Sequence, residues 1–481
     1  MVADCLRMAQ TTQSPPPDPP RGSPEPLPMH RLATSATTGL LGLVGLAAAF
    51  PNIVPATQGE AEADTSILIR AERLHVRPGE VREDVSILVR AGEIVEVGED
   101  LAAPDGAEVL ESPVVCAGFI DAWADTGLSR SSASDGAATP STRTVDAVDP
   151  YSFDQERRFQ LAAGVVAARV QSGQSARIAG VGAVVANDPG AGLDELVLLD
   201  EACVSATIQG NDVFERLDAV ERLAATIEQG AAYRESQLDY AEQLEEWEKA
   251  IAEKVEELEK DFKKAKKDRE KEIEEAEEKG KDFKEEKYKE DKRPRAPRFD
   301  ANNEVMARVA SGELPLIVQA DRAVVIRALL AKMKTFPRVR WTLAGAADSH
   351  FFAEQLAEHR VPVLIVPHWQ SRGGDFGADD FELAGQLHEA GVQILFGSAG
   401  ASPRSRDLSL MAARAVGFGL DADAAFAAIT TGPARAFDLG HVTGTVEAGK
   451  QAHLLLMSGD PLASTSRVET VILSGDVVYR R

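Results

Sequence analysis

Gly118-Phe119-Ile120-Asp121-Ala122-Trp123-Ala124-Asp125 follows the apolar run Val114-Val115-Cys116. A short apolar run rich in β-branched and aromatic residues reads as a buried strand, and its polar end as the start of a loop. Working outward, 66–76 and 86–96 are strand-like, with a turn at Pro78-Gly79 between them. At the far end, 452–457 and 468–479 read the same way, the second folding back at Gly475-Asp476. Strands at both termini around a mixed middle predict one small β-sandwich domain built from 65–117 and 440–481.

Between them, over 118–439, short apolar strands alternate with helical stretches. The strands are expected at 165–170, 182–185, 314–319, 339–343, 361–366 and 392–396, and the helices at 323–334, 351–359, 381–390 and 408–417. Repeated strand–helix units of this size predict an α/β fold, a (β/α)8 TIM-type barrel. A doubly wound open sheet is the competing architecture. One segment breaks the alternation: 230–298 is dominated by Glu and Lys. Tyr233, Tyr240, Leu244, Trp247, Ile251, Leu258, Phe262 and Ala265 recur there at heptad-like spacing, and Pro294 and Pro297 end it. It reads as a charged helical or coiled-coil insertion within the barrel. It is either a solvated helix held by i,i+4 Glu–Lys pairs or an arm that binds a partner.

The 481 residues can bury more than one core, and an apolar fraction of 44% is ordinary for a globular chain. A formal charge of −25 argues against a nucleic-acid partner. The three cysteines, Cys5, Cys116 and Cys203, show no zinc spacing. Cys116 reads as a small core residue, with a Cys116–Cys203 bridge left open. Residues 1–64 read as a disordered, proline-rich leader followed by a signal peptide, whose apolar core 40–49 is too short to span a bilayer. Export to the periplasm or outside the cell, with no membrane span, is the expectation.

Three groups of residues carry a family resemblance. Ala427-Ala428-Ile429-Thr430-Thr431-Gly432-Pro433-Ala434-Arg435-Ala436 is followed by Gly444-Thr445-Val446-Glu447-Ala448-Gly449-Lys450-Gln451-Ala452-His453 and then Asp460-Pro461-Leu462. Together with the 118–125 strand and the strand Val318-Gln319-Ala320-Asp321, these resemble the imidazolonepropionase-like branch of the amidohydrolase superfamily. That resemblance implies a (β/α)8 barrel with a small β-sandwich, metal-assisted hydrolysis of C–N bonds, and zinc or another divalent ion as cofactor. It also implies ligands at the C-terminal ends of strands, where barrel active sites stand.

At each ligand position the family motif implies, this chain has something else. Trp123 and Asp125 stand for the first-strand histidines, Ala186 for a lysine, and Gln319 and Asp321 for the fifth-strand histidines. Ala344 stands at the sixth-strand site and Ala399 for the catalytic aspartate. Trp123 is read as filling the space of the metal. No catalytic residue and no metal or other cofactor is therefore expected. Asp121, Asp125, Asp321, His368 and Ser398 remain as pocket candidates, while His350 suits a helix cap or the surface. Three functions stay open. One is a non-catalytic homologue that pairs with itself or with an active amidohydrolase relative. Another is a protein that binds a small molecule at the barrel mouth. The third is an active C–N hydrolase with a site rebuilt from Asp125, Asp321 and His368.

Overall fold

The computed structural model describes residues 66–279, 292–366, 381–399 and 404–481. The leader, its expected signal peptide and His368 lie outside the described residues. Two sheets organise the rest. The first takes strands from both chain ends: β1 (Ile67–Arg77), β2 (Glu80–Arg90), β3 (Glu93–Gly98) and β4 (Glu108–Ala117) from one, and β13 (Leu454–Met457), β14 (Val468–Leu473) and β15 (Asp476–Arg480) from the other. Their order is β15-β14-β13-β4-β1-β2-β3. The seam is β13 against β4, antiparallel, with Leu455 opposite Cys116. The sheet curls until β3 meets the chain ahead of β13, where Ile94 N–H donates to the Lys450 carbonyl at 2.8 Å. Ile69, Leu74, Ile87, Ile94, Leu454 and Ile472 fill the curl and are buried. Alternating apolar residues from strands far apart in the chain thus share one core, which is why neither end could form this layer alone.

The second sheet is the barrel. It comprises β5 (Phe119–Ala124), β6 (Val165–Val170), β7 (Ile178–Ala186), β8 (Val197–Thr207), β9 (Leu316–Ala320), β10 (Trp341–Gly345), β11 (Val363–Ile365) and β12 (Ile394–Phe396), paired in sequence order. Closure between the last strand and the first runs through Ala399 N–H, which donates to the Trp123 carbonyl at 2.8 Å. A β-carbon on Gly397 would stand 2.8 Å from that of Trp123, so a side chain there would wedge the seam apart. Closure excludes the doubly wound sheet.

One strand departs from the expected repeat. β7 is antiparallel to both β6 and β8, with Ala186 opposite Ala167 and Ile178 opposite Ala206. The expected site position Ala186 is corrected accordingly: it lies at the opposite end of the barrel from Trp123. Only in a parallel strand would the last residue of this motif reach the rim. β7 and β8 instead form a hairpin, which needs no crossover helix. Cys116 and Cys203 are both free and buried, so they are not bridged.

The charged insertion starts earlier than 230. A single helix, Val213–Lys279, begins on the barrel wall and buries Ala219, Val220, Leu223, Ala224 and Ile227 there. Beyond Gly230 it becomes the charged arm, with Tyr233, Tyr240, Leu244, Trp247 and Ile251 half-buried and pairs such as Glu245–Lys249 at 2.6 Å. No helix among the described residues is long and apolar enough to cross a membrane. Gly230 lies where the helix crosses Ala301–Ser311, and a β-carbon there would stand 2.4 Å from the Met306 carbonyl carbon. Gly230→Ala should gain about 1 kcal/mol of helix propensity. It should lose more by forcing two backbones apart, since overpacking costs about 1–3 kcal/mol and backbone cannot swing aside. Denaturant unfolding should show a net loss of about 1 kcal/mol; a gain would mean that the helices part freely.

Candidate functional site at the barrel rim

The C-terminal ends of β5, β9, β10 and β12 bring Trp123, Asp125, Gln319, Asp321, Ala344, Ser398 and Ala399 to one rim. The register requires it: Gln319 is opposite Ala344, and Ala399 bonds Trp123. Trp123 is only 5% exposed, and its indole Nε1–H has no partner. One layer lower on the same strand, Asp121 is fully buried. Its Oδ1 accepts from the backbone N–H of Trp123 at 3.0 Å and of Ser398 at 2.9 Å, while Oδ2 has no partner. Burial pushes the Asp121 carboxyl up to about 7, against the pull of the Ser398 hydroxyl and the two backbone donors. Asp121 and Ser398 therefore brace the seam between the first and last strands.

Asp125 accepts a hydrogen bond from the Gln174 side chain, which ties it to the loop after β6. Asp321 lies over Gly345, where a β-carbon would come within 2.3 Å of its Oδ1. Ala399 adopts φ +49°, a left-handed conformation that aspartate and asparagine take more readily than alanine. His350 sits in the short turn Ser349–Phe352 with its ring 4.0 Å from Phe351.

The residue that sequence reading missed is Arg169. On β6, Val170 packs outward with Leu128, Val145, Val148, Ala183 and Val185. Strand alternation then sends Arg169 into the barrel, where it is fully buried. Its Nε donates to Cys203 Sγ at 3.3 Å, and its Nη2 donates to Gln171 Oε1 at 3.3 Å and to Ser205 Oγ. The guanidinium carbon stands 5.3 Å from the Trp123 ring centroid, a cation–π contact. Gly182, across on β7, makes room for this layer: a β-carbon there would be 2.7 Å from Gln171 Oε1. Gln171 in turn donates to Thr144 Oγ1 at 3.3 Å and to the Ala179 carbonyl at 3.2 Å. An arginine inside an otherwise apolar strand, Val165-Val166-Ala167-Ala168-Arg169-Val170, was the available signal.

Among the described residues, this donor set does not fit a zinc-type ion. Such a site takes three or four imidazole, thiolate or carboxylate ligands in fixed geometry. At this rim an indole and a guanidinium occupy the first-strand corner, and one of the carboxylates is held by Gln174. Among the described residues, no three His, Cys, Asp or Glu side chains gather as a ligand set.

An eight-stranded barrel with a polar rim at its strand C-termini is the scaffold on which barrel active sites stand at that end. The amidohydrolase family model matches residues 228–478, more than half of the chain, and the chain belongs to that family. The strands that carry Trp123 and Arg169 precede the matched region. Among solved structures, an amidohydrolase from Thermotoga maritima MSB8 superposes with a TM-score of 0.65 at 22% identity, covering 86% of this chain and 100% of that one. A prolidase complexed with N-methylphosphonate-L-proline gives a TM-score of 0.49 at 15% identity, covering 87% and 100%. No curated protein sequence matches.

Proposed function

We propose that this chain is a non-catalytic amidohydrolase that acts by binding at the rim of its barrel. One observation carries the reading: where the family's motif implies two metal-binding imidazoles, the chain buries an indole covered by an arginine. Activating water for attack on an amide requires a cation to lower its pKa and a base to take its proton. Ala399, in the position of that base, has no proton-accepting group, and its left-handed backbone fits a position once held by aspartate. Among the described residues, neither Asp125 nor Asp321 gathers with two further His, Cys, Asp or Glu side chains.

Metal analysis of the purified full chain tests this. The expected result is less than a tenth of an equivalent of zinc, manganese, iron or nickel, with no hydrolysis of dipeptides or cyclic amides after loading with those ions. A stoichiometric, tightly held divalent ion would overturn the reading.

A further inference from the structure

Arg169 has an electrostatic problem that its neighbours do not solve. A guanidinium keeps its charge in a protein, and burying an ionised group costs several kcal/mol unless an opposite charge meets it. Arg169 is fully buried, yet its partners are an amide oxygen, a hydroxyl, a thiol sulfur and a ring face, all neutral. No carboxylate among the described residues forms an ion pair with it. One of its nitrogens, Nη1, has no hydrogen-bond partner at all. The side chain stacked on it, Trp123, also has an unpartnered buried donor in Nε1. Two touching side chains thus present two unused N–H donors and one uncompensated positive charge in the barrel interior.

We propose that the barrel interior is an anion site, in which a halide or the carboxylate end of a small molecule rests on Arg169 Nη1 with Trp123 Nε1 as a second donor. This deepens the non-catalytic reading and rests on it: a scaffold built to hold a cation has changed the sign of the charge it holds. A charge-assisted N–H···anion contact is roughly twice as strong as a neutral one. It would also remove the penalty of the unpaired guanidinium. Both donors are buried, so the group received is a small monoanion rather than a phosphate ester.

The test uses the full chain, prepared free of chloride. Crystals soaked in bromide should show an anomalous peak in hydrogen-bond reach of Arg169 Nη1. In solution, chloride and formate should each raise the melting temperature saturably by a few degrees over a bulky sulfonate buffer anion at equal ionic strength. Arg169→Met should lose that rise, and Trp123→Phe should shift it to higher anion concentration. If Arg169→Met does not fold, the bromide peak and the wild-type melting curves decide alone. The two arms separate the sources: a response to formate and not to bromide points to a carboxylate ligand, the reverse to a halide. A carboxylate of the chain itself over Nη1, or melting temperatures that follow ionic strength alone, would overturn the proposal. Metal content measured on the same sample keeps the readings apart. Protein free of both metal and anion loses only this inference, whereas metal-loaded protein loses the non-catalytic reading.

Discussion

Histidines placed at positions 123, 125 and 319 should not by themselves give this barrel a tight divalent ion; the same three with Arg169→Met should. The guanidinium carbon stands 5.3 Å from the Trp123 ring centroid, so an imidazole placed at 123, and any cation it held, would face that charge. Charges of +1 and +2 about 6 Å apart repel by about 5 kcal/mol at an effective dielectric of 20, more than a thousandfold in affinity. Relaxation of a long side chain will recover part of that, so a loss of at least a hundredfold is the expected outcome. Zinc affinity by chelator competition should therefore differ by that factor between Trp123→His/Asp125→His/Gln319→His and the same variant with Arg169→Met. Equal affinities would show that Arg169 does not oppose a cation, and that the missing imidazoles alone explain the altered rim. The comparison separates the effect of the Arg169 charge from that of the imidazoles.

What could be read in advance follows from how locally each feature is encoded. The composite sheet was legible because β1, β2, β13 and β14 each carry their own alternation and turns. The rim positions were legible because short motifs place Trp123, Asp125, Gln319 and Asp321 at strand ends. β8 escaped because Asp200 and Glu201 interrupt its apolar run, as suits a strand with a partly exposed end. The reversal of β7 escaped because direction is not a property of the strand's own residues; it is set by the short return into β8, and a two-residue period reads the same both ways. Arg169 escaped for a related reason. An isolated arginine in an apolar strand has no partner nearby in sequence: Cys203, Ser205 and Trp123 reach it from other strands. The helix start at Val213 was missed because the charge that marks the arm begins only after the segment that packs on the barrel.

Two buried titrating groups should pull the acid stability of the fold in opposite directions, and removing either should expose the other. Burial raises the Asp121 carboxyl from 3.8 to about 7. Its contribution is therefore fully present below about pH 4 and is lost as pH rises through 7, a change of about 4 kcal/mol. His453 sits where the chain passes from the barrel back to the terminal sheet, and its carbonyl accepts from Gly118 N–H at 2.9 Å. It too is buried, with Nε2 near Ser474 Oγ at 3.3 Å and Nδ1 unpartnered, and burial holds it down at about 4. Its contribution has the opposite sign: present above about pH 6.5 and lost as pH falls through 4, about 3 kcal/mol. Between pH 4 and 6.5 the two slopes nearly cancel. Asp121→Asn keeps an oxygen for the Trp123 and Ser398 N–H groups, so it should stabilise the chain by up to about 4 kcal/mol at pH 8 and very little at pH 4. Its stability should then climb with pH from 4 to 6.5, where the Asp121 slope no longer opposes that of His453. His453→Gln should instead leave stability falling steadily from pH 4 to 7. Exposed carboxylates act alike in all three proteins and drop out of the differences. Urea unfolding at half-unit pH steps would reveal the crossing slopes, and parallel profiles would show that neither group is held as the packing requires.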